Sequence, residues 1–214
     1  MLRTVAAACT ILSITAHAAS AQMPTIPVLQ NGFSSTGMTL AIDYGSASGA
    51  NAYAFAAGWG PASGRFQLSG ALGGIRPDTG GSWKAYGGRV TVPLYTGRAD
   101  HFGVTAFAGF GGARRDTTSL VRVPVGIGAG YRVAFGATRG VAAYASPFFV
   151  WSRLSERGKP AQADNRMRGS VAVDLVLTRN FGVTAGYEFG SGSAGNTLER
   201  NNGLFGAAVS YAFR

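Results

Sequence analysis

From Thr36 to the C-terminus apolar residues stand at every second position, and this period of two constrains the fold more than any other feature. A strand turns successive side chains to opposite faces, whereas a helix repeats near every 3.6 residues. Met38, Leu40, Ile42 and Tyr44 share one parity, while Thr39, Ala41 and Asp43 take the other. Tyr53, Phe55, Ala57 and Trp59 form the next face, followed by Phe66, Leu68 and Leu72, then by Tyr86, Val90, Val92 and Leu94. The pattern continues through Phe102–Phe110, Val121–Val133, Val141–Trp151, Val171–Leu177, Phe181–Phe189 and Phe205–Phe213. Ten runs predict ten strands, or eight if two of the runs are not strands. Pro93, Pro124 and Pro147 fall inside them, and each removes a ladder donor. A bulge near a strand end accommodates the first two, which leaves the central Pro147 as the weakest point of the ten-strand register.

The two faces differ in an unusual sense. Large apolar side chains occupy one, and Gly, Ala, Ser and a few charges occupy the other. In a soluble barrel the large groups fill the inside; here the inward set is too small and too polar for such a core. Composition agrees. With 46% hydrophobic and only 13% charged residues the chain is not disordered, and 33 glycines are incompatible with a helical domain. The fold class expected is all-β, a closed antiparallel up-and-down barrel that crosses a membrane.

Connections and aromatics bear on orientation. Longer links are expected at Gly45–Asn51, Arg76–Trp83, Gly112–Ser119, Arg153–Met167 and Ser191–Asn202, all on one rim. Tight turns are expected on the other rim, at Pro61–Gly64, Thr96–Asp100, Ala134–Gly140 and Arg179–Asn180. Near the short-turn rim, on the outward parity, lie Trp59, Phe66, Phe102, Tyr131, Phe181, Tyr211 and Phe213. Near the long-loop rim lie Tyr44, Tyr53, Tyr86, Phe110, Phe149, Trp151, Tyr187, Phe189 and Phe205. Two aromatic girdles around an aliphatic band match two water–lipid interfaces.

The N-terminus sets the compartment. Arg3, the apolar Val5–Ile14 and the small residues Ala19-Ser20-Ala21 have the pattern of a secretory signal peptide. Residues 1–21 are therefore expected to be removed, together with Cys9, the only cysteine, so no disulfide is available. Residues 22–35 read as a short periplasmic lead and 36–214 as the barrel. The net charge of +10 is carried mainly by scattered arginines that form no tract, which fits lipid phosphates better than nucleic acid.

With signal, strand number, girdles and the last strand Gly203–Arg214 in view, the chain resembles the small bacterial outer-membrane β-barrel proteins. That group includes OmpA-like transmembrane domains and minor porin-like proteins. Tyr211-Ala212-Phe213 is similar to the aromatic-x-aromatic ending that the outer-membrane assembly machinery reads. The resemblance implies export to the outer membrane, with lipid and surface glycolipid as neighbours and no cofactor; it does not indicate an oligomeric state.

The inward parity carries six candidate lumen-lining charges: Asp43, Arg89, Arg122, Arg132, Asp174 and Glu188. They make either a charged constriction that selects ions or salt bridges that crosslink a closed interior. Arg89 and Asp174 should lie near mid-height, Asp43, Arg122 and Glu188 nearer the long-loop rim, and Arg132 nearer the other. Catalysis is not expected. His101, the only histidine beyond the signal, begins a strand at the short-turn rim, and a metal site has too few ligands. Gly190–Gly195 matches GxGxxG but leads into another strand, so no dinucleotide site is expected. The basic stretch Arg153–Arg168 reads as an exposed loop, which either grips glycolipid phosphates or is simply solvated. The function expected is a narrow, weakly selective channel or a structural membrane protein. The alternatives are a surface-binding adhesin or receptor that acts through its long loops, and a soluble lipocalin-like binder.

Overall fold

The computed structural model describes residues 37–47, 49–96, 101–136, 138–190 and 203–213. The expected signal peptide, the lead, the Ser191–Asn202 link and all but the first residue of the GxGxxG stretch lie outside the described residues. Ten strands follow in chain order: β1 Gly37–Ala47, β2 Ala50–Gly60, β3 Gln67–Pro77, β4 Trp83–Thr96, β5 Phe102–Arg115, β6 Thr118–Ala134, β7 Gly140–Glu156, β8 Gln162–Val176, β9 Phe181–Gly190 and β10 Gly203–Phe213. Each pairs antiparallel with its sequence neighbours, and β1 joins β10 from Met38↔Phe213 to Ala47↔Leu204. The barrel is closed. Closure satisfies every strand edge from within, which an open sheet in lipid could not do.

The period-two pattern is realised as in-and-out alternation around the wall. Ile42 is 70% exposed, while its neighbours Ala41 and Asp43 are 7% and 1% exposed. The expected girdle aromatics of the strands keep the outward parity. Most are exposed; Tyr131 and Trp151, and Phe66 just before β3, are half-buried. They pack on one another at both rims, as in Tyr44–Tyr53 (5.3 Å between ring centroids) and Trp59–Phe66 (5.9 Å). Tyr95, outside the expected set, joins the lower group beside Phe102 at 6.1 Å.

All three prolines are accommodated without loss of a strand. The β4–β5 register shifts between Pro93 and Tyr95. The β5–β6 pairing passes from Ala108↔Val125 to Gly111↔Arg122 around Pro124, and the β6–β7 pairing from Gly126↔Phe148 to Ala129↔Ala145 around Pro147. In β4–β5 Pro93 keeps its partner Thr105 and Leu94 is the extra residue of the bulge, whereas the other two ladders skip two positions at the proline and resume in the same register.

Among the described residues, which include only Thr96 of the expected Thr96–Asp100 turn, the expected sorting of long and short links does not hold. On the rim that carries the β1–β2, β3–β4, β5–β6 and β7–β8 links (the upper rim), Gly45–Asn51 contracts to the two residues between Ala47 and Ala50. Gly112–Ser119 contracts to Asp116-Thr117, where Asp116 has φ of 48°. Arg153–Met167 contracts to 157–161, because β7 and β8 stay paired as far as Leu154↔Gln162. On the opposite, lower rim the β2–β3 link runs from 61 to 66, longer than the expected Pro61–Gly64. The physical reason is that the apolar alternation marks only the lipid-facing part of a strand. Beyond it a ladder continues through residues that are polar on both faces, since backbone pairing does not depend on side-chain polarity.

Strand lengths are accordingly uneven. β1 to β3 have 11 residues each, near the 9–11 that cross a bilayer, whereas β6 and β7 have 17. The wall is taller on that side and stands above the upper rim.

A charge network across the lumen

The six candidate charges stand on the less exposed parity of their strands. Asp43, Arg89, Asp174 and Glu188 are buried, and Arg122 and Arg132 are half-buried on the inward face of β6. Three of them come together at one level. Arg89, at the middle of β4, interacts electrostatically with Asp43 of β1 and Tyr144 of β7. Tyr144 is also the hydroxyl that faces Asp174, its Oη donating to Oδ1 at 3.5 Å. The cluster therefore joins β1, β4, β7 and β8 through the centre of the barrel. Asp43, expected nearer the rim, belongs to this central layer.

Beside it is an aromatic layer. Phe107 of β5 and Phe148 of β7 point inward from either side of Gly126, which pairs with both. Their rings meet edge to face at 6.1 Å, and the Arg89 guanidinium lies 5.9 Å from the Phe107 ring centroid. A Cβ on Gly126 would stand 2.4 Å from the Phe148 Cβ and 2.6 Å from Phe107 Cζ, so this position requires glycine. The opposite wall is built of small residues: Ala41, Ala52, Ala54, Ala56 and Ala71 are all buried on the inward face of β1 to β3. Large groups from one side thus fill the space left by small ones on the other, as a narrow barrel requires.

Glu188, the sixth charge, has a partner that sequence reasoning missed. Arg168 of β8 donates from Nε to Glu188 Oε1 of β9, with both side chains buried. Arg168 was expected in an exposed loop. It lies instead on the inward parity of β8, in line with Ala172 and Asp174, and extending that alternation by two inward positions, through Ser170, would have found it. Next on the same face Arg166 pairs with Asp164. Tyr144, Phe107 and Phe148 were also missed, because inward aromatics do not stand out in a chain with so many outward ones.

Other predicted features are placed but not brought together. His101 sits at the lower rim, with Nδ1 2.9 Å from the Arg132 carbonyl oxygen and its ring stacked on Tyr131 at 5.6 Å. The basic stretch Arg153–Arg168 is divided: Arg153, Arg157 and Lys159 are exposed, while Arg166 and Arg168 turn inward. No cluster of three His, Cys, Asp or Glu side chains suited to a metal occurs among the described residues. What the arrangement brings to one level of the lumen is a set of opposite charges, a hydroxyl and two aromatic rings.

No family model matches the chain, and no curated protein does. Solved structures do. The β domain of the Bordetella autotransporter BrkA superposes with a TM-score of 0.55 at 15% identity, covering 82% of this chain and 98% of that one. The N-terminal β-barrel domain of Pseudomonas aeruginosa OprF gives 0.40 at 10% identity, covering 82% and 96%. The KdgM porin gives 0.40 at 10% identity, covering 82% and 99%. At these identities the likeness is one of fold. The chain has the closed antiparallel barrel of the outer-membrane β-barrel proteins.

Proposed function

We propose that the chain resides in the outer membrane after export, as a non-catalytic structural barrel closed by its own side chains. The observation that carries this reading is the burial of the central layer. Asp43, Arg89, Tyr144 and Asp174 face the lumen of a ten-stranded barrel, yet they are only 1%, 5%, 2% and 1% exposed. Water filling an open pore would reach them. Burying charge in such a place is costly, and bringing opposite charges to one level from different strands offsets part of that cost. The Asp43 carboxylate itself accepts no hydrogen bond among the described residues. The two aromatic rims suit the two membrane interfaces, and the taller wall of β6 and β7 suits the outer side.

Planar-bilayer recording on protein purified from membranes tests the reading. The wild type is expected to be silent, and Arg89→Ala is expected to produce discrete openings, because it removes the long side chain that spans the central layer between Asp43 and Tyr144. Discrete openings of the wild type would overturn the closed reading. One observation favours a second reading, a narrow and weakly selective channel: the central layer is made of charges and hydroxyls rather than aliphatic groups. In that case the wild type conducts, and Arg89→Ala changes its ion preference. The adhesin or receptor reading has less support, since three of the expected long loops are largely strand.

A further inference from the structure

The outward face of β3, β4 and β5 carries an arrangement that the closed-barrel reading does not use. Lys84 and Arg114 are direct partners across the β4–β5 ladder, both exposed and both on the outward parity. Like charges in that position destabilise a sheet unless an anion lies between them. Arg76 of β3 is outward and exposed as well, two residues on from Gly74, the partner of Lys84. That diagonal places it about 7–8 Å from Lys84, within reach of the same ligand. None of the three takes part in an ion pair among the described residues, unlike Arg115 at the tip of the next hairpin, which pairs with Asp116.

Beneath these cations, on the same strands, is an apolar hollow of about 410 Å³ whose outward lining is Leu68, Gly88, Val90, Ala108 and Phe110. It exists because Gly88 and Ala108 supply almost no side chain on the outward face, while Phe110 leans over Gly88, 2.8 Å from where a Cβ would stand. Gly88 is four residues from Lys84 and Ala108 six from Arg114 along their strands, so the hollow starts roughly 13 Å below the charges at about 3.3 Å per residue. Tyr86, in the upper aromatic set, lies between the two levels. A cationic headgroup seat over an apolar slot of this spacing has the polarity of an anionic amphiphile.

We propose that the outward face of β3–β5 binds one phosphate-bearing acyl lipid, with its headgroup on Arg76, Lys84 and Arg114 and an acyl chain in the hollow below. Charge complementarity selects phosphate, and arginine binds it in two-pronged fashion. This assignment rests on outer-membrane residence, where such a lipid borders the barrel.

Native mass spectrometry of the detergent-purified protein tests it, with a bis-phosphorylated acyl glycolipid, its dephosphorylated form and inorganic phosphate as probes. The wild type should retain one copy of the phosphorylated lipid and bind the dephosphorylated form at least ten-fold more weakly. Arg76→Gln/Lys84→Gln/Arg114→Gln should lose at least ten-fold in affinity, and Ala108→Leu, which fills the hollow, several-fold. Arg153→Gln, an exposed cation on β7, should change nothing. Equal binding by the triple variant and the wild type would overturn the site. Displacement of the lipid by millimolar inorganic phosphate would overturn the lipid assignment in favour of a free anion. A heat-modifiable gel shift checks that each variant is a folded barrel. Protein that stays in buffer without detergent would instead defeat the outer-membrane reading itself.

Discussion

The wall from β1 to β3 and the wall from β5 to β8 are built on opposite principles. The first is short, with 11 residues per strand, and presents mainly alanine and glycine to the lumen. The second is tall, reaching 17 residues in β6 and β7, and presents Phe107, Tyr144, Phe148 and Arg168. Both alternate with the same period, and both face lipid with the same kinds of residue. The difference teaches that a narrow barrel need not be filled symmetrically. A wall of small side chains is the complement of a wall of large ones across a narrow lumen.

Substitutions can break or sharpen that contrast. The largest effect is expected at the buried ion pair of the tall side. Arg168→Gln leaves Glu188 charged and unpartnered and should destabilise the barrel by about 3–5 kcal/mol, measured by denaturant unfolding in lipid vesicles. A change smaller than about 1 kcal/mol would mean that water, rather than Arg168, compensates Glu188. Phe148→Ala comes close behind, at about 3–5 kcal/mol for the cavity it leaves. The opposite change on the short wall, Ala56→Leu, should cost about 1–3 kcal/mol by overpacking. Should Ala56→Leu be neutral, the small residues are spare room rather than complements, and the contrast fails.

Tyr144→Phe is milder. It removes one hydroxyl from the long hydrogen bond to Asp174 and should cost about 0.5–1.5 kcal/mol, with more if Asp174 finds no other donor. The smallest effect belongs to the β5–β6 turn. Asp116 has a left-handed φ of 48° and an exposed ion pair with Arg115 at 3.5 Å, so Asp116→Gly should stay within about 0.5 kcal/mol of the wild type. A clear loss there would show that the tall hairpin depends on its tip.

Much of this was legible before any coordinates. Asp43, Arg89, Asp174 and Glu188 were placed on the lumen side by parity alone, and all four are buried there. Parity works because it is local: each residue's face follows from its neighbour's. Arg168 shows where the reading stopped. In the first half of β8 the inward face is polar and the outward face mixes Ala163 and Met167 with Asn165 and Gly169, so the alternation loses contrast and a strand is read as a loop. The same loss of contrast turned the ends of β5, β6 and β7 into expected links.

The sequence by itself determined the outward set and the inward set, because an apolar period of two in a lipid-facing wall admits only one assignment of faces. It left ten strands or eight open, and closure of the ladder through all three prolines decided for ten. Tertiary structure alone decided which inward groups meet. Arg89 shares an electrostatic environment with Asp43 and Tyr144, which stand on strands three places away on either side, and that depends on the stagger with which the ten strands close. Stagger is a property of the ring as a whole. No single strand carries it, so it is not written in the pattern of any one of them.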